Sequence, residues 1–134
     1  MSEENVDVVL STFRAFQARD DETLFANYAP DIEWDLRDYS VWTEQPLFRG
    51  HDGIRQFFRI WLEDFTDYET EALDPLDAGD RVVVTVVDRA QGRRSGAVIE
   101  RVHDQVWTFR DRMVVRVQIL DSRAEALKAV GMAE

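Results

Sequence analysis

Apolar side chains recur at Val6, Val9, Leu10, Phe13 and Phe16, spacings of three and four that share one face of a helix from Glu4 to Ala18. Asp20 and Asp21 end it. Asp21-Glu22-Thr23-Leu24 reads as the start of a short second helix with acids at its positive end, Leu24, Phe25 and Tyr28 on its buried side, and Pro30 barring continuation. The two helices form a hairpin. At Ile32-Glu33-Trp34-Asp35-Leu36 the period changes to two, which predicts a half-buried strand with Ile32, Trp34 and Leu36 on one face. Residues 37–49 have no period and set Tyr39, Trp42 and Phe48 among polar neighbours with Pro46, the pattern of a loop lying over an apolar surface as a rim or lid. A third helix is predicted from Asp52 to about Phe65, with Ile54, Phe57, Phe58 and Trp61 on its apolar face. Strands follow at Tyr68–Asp74, Arg81–Arg89, Ala97–Phe109 and Met113–Leu120, separated by turn signals at Ala78-Gly79-Asp80, Gln91-Gly92-Arg93 and Arg110-Asp111-Arg112. The segment from Asp121 to Gly131 reads as a short closing helix with Gly131 at its C-terminal end.

Helices first and strands afterwards describe an α+β domain, with three N-terminal helices on one face of a curved antiparallel sheet. A sheet wrapped over helices leaves a cavity. Val82, Val84 and Val86 on one face of their strand, with Val83 and Val87 on the other, leave apolar area on both sides of the sheet. Helices cover one side, so a second subunit is the expected cover for the other and a homodimer is predicted. At 134 residues and 45% apolar content, without repeats or linkers, the chain reads as one domain over residues 1–134.

Composition removes several classes of function. The chain has no cysteine, which excludes disulfides and thiolate chemistry, and its acidic start and lack of a long apolar run predict a cytoplasmic protein that does not enter membranes. A net charge of −11 with scattered arginines argues against nucleic acid as a partner. Two histidines and no cluster with metal-ligand spacing leave no metal site, and with no phosphate loop or nucleophile elbow no cofactor is expected.

On the strand Ala97–Phe109, one face carries Ile99, Arg101, His103, Gln105, Trp107 and Phe109. A polar trio between large apolar residues is what a pocket with a few orienting groups looks like. His103 is the candidate general acid/base, since an imidazole donates and accepts near neutral pH, and Arg101 or Gln105 is placed to stabilise an enolate oxygen. The competing reading is a strand histidine bonded to a carboxylate, with Arg101 paired at the surface. Tyr28, Trp34, Phe48, Phe58, Trp61 and Trp107 form the core and, in a fold hollow at one end, the pocket wall, with Tyr39 and Trp42 at the mouth. His51, in Gly50-His51-Asp52-Gly53, reads as part of a helix start. Asp88, Arg89, Arg93 and Arg94 surround a turn and read as a solvated hairpin tip.

The conjunction of Tyr28-Ala29-Pro30-Asp31-Ile32-Glu33-Trp34, Phe48-Arg49-Gly50-His51-Asp52-Gly53-Ile54-Arg55 and the tail Ala124-Glu125-Ala126-Leu127-Lys128-Ala129-Val130-Gly131 resembles the nuclear-transport-factor-two-like superfamily. More narrowly it resembles the SnoaL-like polyketide cyclase group, over nearly the whole chain. The resemblance implies a cone-shaped α+β barrel with a pocket between helices and concave sheet, lined also by Leu36 and Tyr39, and often a dimer through the outer sheet face. Ketosteroid isomerases of this superfamily shuttle a proton with an Asp where this chain has Leu36, and bind the oxyanion with a Tyr and a protonated Asp where it has Thr12 and Gln105. A steroid isomerase is therefore not expected. Asp35 lies beside the acid/base position; a bulge would turn it inward, while simple alternation places it outside. The expectation is a small-molecule pocket protein, either a cofactor-independent isomerase, cyclase or dehydratase acting on a small apolar carbonyl compound or a non-catalytic carrier of a small hydrophobic ligand. Fold alone does not choose between them.

Overall fold

A computed structural model describes residues 2–132 of the chain. The order is α1 (Ser2–Gln17), α2 (Asp21–Ala26), β1 (Tyr28–Asp35), β2 (Leu47–Arg49), α3 (Gly50–Leu62), β3 (Phe65–Asp77), β4 (Arg81–Gly92), β5 (Val98–Arg110), β6 (Met113–Leu120) and α4 (Arg123–Ala129). The strands form one curved, unclosed sheet in the order β2-β1-β6-β5-β4-β3. Two features differ from expectation. Residues Leu47–Arg49 form a strand antiparallel to β1, too short to show a period, and β1 lies parallel to β6, so the sheet is mixed instead of wholly antiparallel.

The helical periodicity translates directly into packing. In α1, Val9 and Thr12 are buried and Phe13 and Phe16 pack on the core; in α3, Ile54 and Phe57 are buried while Phe58 and Trp61 are half-buried against it. The start of α3 is tied to β1 twice. Gly50 takes a positive φ of 72°, and a Cβ there would sit 3.4 Å from the Pro30 carbonyl oxygen, so both conformation and space favour glycine. The His51 Nε2 lies 2.9 Å from the Tyr28 carbonyl oxygen, a contact that joins the first turn of α3 to β1.

The long strands gain curvature from irregular pairing. Register shifts in β3 fall between Thr66 and Glu69 and between Leu73 and Leu76, where Asp67 and Asp74 adopt positive φ. On the outer sheet face α4 buries Ala126 and Val130 against Val83, Val106 and Leu120. Arg123 anchors it, with its guanidinium 3.5 Å from the buried Asp104 carboxylate, which also accepts from Thr85 Oγ1 at 2.8 Å. Farther along that face Val98 and Val102 remain exposed, at 78% and 58%. None of the described helices is long and apolar enough to cross a membrane.

Candidate functional site

Between the inner sheet face and helices α1 and α3 lies a cavity of about 60 Å³. Its wall is aromatic, with Phe16, Tyr28, Trp34, Phe58, Trp61 and Trp107 among its residues, and its polar groups come from neighbouring rungs of three strands and from Thr12 of α1. Thr70 of β3 pairs with Asp88 of β4, while His103 and Gln105 of β5 pair with Val86 and Val84. Strand alternation then directs Asp88, His103 and Gln105 to one face. All three are buried.

The hydrogen bonds at the cavity fix the state of the histidine. An indole N–H can only donate, and Trp107 Nε1 lies 2.8 Å from Gln105 Oε1, so that oxygen is the acceptor. The Gln105 amide nitrogen therefore faces His103 Nε2, at 3.0 Å, and donates to it. His103 Nε2 is unprotonated, and the neutral imidazole carries its proton on Nδ1. A second relay starts at Trp61, whose Nε1 donates to the Tyr68 hydroxyl, and the Tyr68 and Thr70 hydroxyls hydrogen-bond in turn to the Asp88 carboxylate. Two relays, each rooted in an indole, thus converge on Asp88 and His103.

At their meeting point the network is incomplete. Asp88 Oδ2 and His103 Nδ1 are 3.6 Å apart, beyond a hydrogen bond, and among the described residues neither atom has another partner. Trp34 Nε1, also on the cavity wall, is buried without a partner as well. Native proteins leave few such atoms unpaired, and they concentrate where a water or ligand belongs. Burial disfavours charge on both central groups. It raises the Asp88 carboxyl to about 6, against the Tyr68 and Thr70 hydrogen bonds and the nearby Arg101 charge that favour ionisation. It lowers His103 to about 4. At neutral pH the site holds a carboxylate poised close to its titration and a neutral imidazole offering Nδ1–H.

Of the residues expected to do chemistry, the structure brings His103 and Gln105 together in the cavity. Arg101 is exposed, beyond the cavity on the same strand face, opposite Asp88 in register. Asp35 is buried but faces away from the cavity, as alternation requires, and accepts from Arg37 Nη2 at 2.9 Å and from Arg116 Nη2. Burial alone would raise its pKa, but the Arg37 and Arg116 guanidiniums hold it down at about 2. Five of the expected wall residues, Tyr28, Trp34, Phe58, Trp61 and Trp107, line the cavity. Leu36, Tyr39 and Phe48 are buried in the same core without lining it; Tyr39 covers His103, ring centroids 5.5 Å apart. Asp88 corrects the reading of a solvated hairpin tip, because β4 runs on to Gly92 and leaves it mid-strand and 6% exposed. Among the described residues no group of three or more His, Asp or Glu side chains is arranged to hold a metal.

The chain belongs to the SnoaL-like domain family, whose model matches residues 9–117. None of the curated proteins matches it. Solved structures share its fold. TerC, crystallised with polyporic acid, is 21% identical, with 96% of this chain and 98% of TerC covered and a TM-score of 0.77. An NTF2-like protein of unknown function from Burkholderia pseudomallei is 23% identical, with 95% and 97% coverage and a TM-score of 0.77. A candidate polyketide cyclase from Sinorhizobium meliloti is 22% identical, with 84% and 93% coverage and a TM-score of 0.63.

Proposed function

We propose that this chain is a cofactor-independent acid/base enzyme that moves a proton next to a carbonyl group, in an isomerisation, cyclisation or dehydration of a small apolar carbonyl compound. The observation that carries the proposal is the buried, unpaired couple of Asp88 Oδ2 and His103 Nδ1 facing an aromatic cavity, 3.6 Å apart. In a ketone the α-carbon and the carbonyl oxygen are about 2.4 Å apart, from standard bond lengths, so a base and a donor side by side at this spacing address both atoms. Asp88 Oδ2 takes the α-proton; the C–H electron pair becomes the enolate π bond, and the charge gathered on oxygen is stabilised by the His103 Nδ1–H. Where the substrate carries a β,γ double bond the enolate is a dienolate, and return of the proton from Asp88 to its γ-carbon gives isomerisation; attack of the enolate on a second carbonyl, whose new alkoxide takes the proton back from Asp88, gives cyclisation. Gln105 and Trp107 are positioning residues that hold the proton on Nδ1. The carboxylate lies near its titration point at neutral pH, where a general base is both ionised and basic.

Arg101, expected as an oxyanion group, acts in this reading only through its field at Asp88, and Asp35 serves the fold. The second reading, a non-catalytic carrier, draws on the same aromatic wall and on the crystallisation of TerC with polyporic acid. The cytoplasmic setting expected from the acidic, cysteine-free sequence is part of the same proposal. The test is incubation of the protein with acetophenone in D2O, followed by NMR of the acetyl protons. Exchange by the wild type that is lost in Asp88→Asn supports the enzyme. Binding without exchange in either protein supports the carrier.

A further inference from the structure

The inner cavity, at about 60 Å³, is smaller than the roughly 150 Å³ of a cavity known to admit benzene. On the acid/base reading above, it takes only the reacting end of a substrate, and the remainder must lie elsewhere. Phe16 and Phe58 line both this cavity and a second, outer cleft between the end of α1, the start of α2 and helix α3. Their rings are in contact, centroids 5.4 Å apart, and form part of the wall that separates the two spaces.

The outer cleft has a different chemistry. Three guanidiniums, of Arg19, Arg55 and Arg59, surround an aromatic floor in a protein whose net charge is −11. Arg19 lies over Phe16 at 5.5 Å and Arg55 over Phe25 at 4.5 Å. Arg55 is paired with Asp52, whereas Arg19 and Arg59 make no ion pair among the described residues. Asp21 and Glu63 also border the cleft and set a counter-charge at its edge. Arg19 holds a positive φ of 59°, where glycine would be less strained. The inner cavity has the opposite polarity, because the Asp88 carboxylate disfavours a second negative charge there.

The geometry points to an entrance that selects a carboxylate-bearing aromatic ketone, its carboxylate held by Arg19 and Arg59 and its neutral carbonyl end passed between Phe16 and Phe58 to Asp88 and His103. Guanidiniums match a carboxylate geometrically, and the phenylalanine floor stacks a ring. The test is calorimetric titration with 4-acetylbenzoate and with its methyl ester, in the wild type and in an Arg19→Gln, Arg59→Gln double variant whose melting transition is checked against the wild type. The wild type should bind the carboxylate about tenfold more tightly than the ester, the scale of one charge-assisted contact, and the preference should fall toward one in the variant. Added salt should erode the preference in the wild type. Equal binding of the two probes by the wild type, a preference that survives in the variant, or binding of neither probe overturns the inference. Acetyl proton exchange read on the same samples separates the two proposals: preference without exchange sinks the acid/base reading and leaves the cleft standing, and exchange without preference does the reverse.

Discussion

Replacing Asp88 by Asn should stabilise the protein at neutral pH, by an amount set by the burial of its charge. The carboxyl titrates at about 6 in the fold against an ordinary 3.8, so keeping it ionised in the folded state costs about 3 kcal/mol above pH 6. As pH falls from about 6 to 3.8 the folded state binds the proton first, and this cost is relieved. His103 works in the opposite direction. Its folded value of about 4 lies below the ordinary 6.5, so between those values the unfolded chain takes the proton first and about 3 kcal/mol is lost as pH falls. In the wild type the two slopes oppose each other over nearly the same window and largely cancel. Asp88→Asn keeps only the histidine slope. Urea denaturation should find the variant about 1–3 kcal/mol more stable than the wild type near pH 7.5, the lower figure allowing for hydrogen bonds the amide makes less well, with the two curves converging near pH 4. A variant no more stable than the wild type at neutral pH, or a gap that persists unchanged to pH 4, refutes the reasoning. A residue that costs stability where it sits is one that function, not folding, retains.

Three further outcomes follow from the same structure. Asp35→Asn, which removes a carboxylate held at about 2 by two arginines, should lower stability by about 1 kcal/mol at pH 7 in urea titrations, solvent screening at the partly exposed Arg37 and Arg116 reducing the full linkage value, a deficit that shrinks as pH falls below 3.8. Gln105→Leu removes the donor that holds the proton on His103 Nδ1, and 15N NMR of the imidazole should show a mixture of tautomers where the wild type shows one. If the exposed Val98 and Val102 mark a subunit interface, as the expected homodimer requires, Val102→Asp should convert a dimer to a monomer in sedimentation equilibrium; a wild-type monomer would remove the dimer from the account.

The legible parts of the fold were those that repeat locally. The three- and four-residue spacings of Val6 to Phe16 and of Ile54 to Trp61 place α1 and α3 within a few residues of their observed bounds. What escaped is decided at a distance. Three residues are too few to show the period of β2, and the parallel alignment of β1 with β6 is a choice between partners far apart in the chain. At the site, alternation found His103 and Gln105 because Ile99 and Trp107 bracket them on one face. The same alternation runs through Val82, Val84 and Val86 to Asp88, but the charge and the nearby glycine read as a turn, and only the extension of β4 to Gly92 reveals a buried carboxylate. Tyr68 was legible as a strand residue and not as a site residue, since the register shift between Thr66 and Glu69 breaks the period that would have aimed it.

The pH dependence of acetyl proton exchange in 4-acetylbenzoate tests the central claim most directly. With Asp88 as the base, kcat/KM should rise with pH to a plateau with a midpoint near 6, and exchange should vanish in Asp88→Asn. Exchange that survives in Asp88→Asn, or a midpoint near 4 that follows His103 instead, contradicts it.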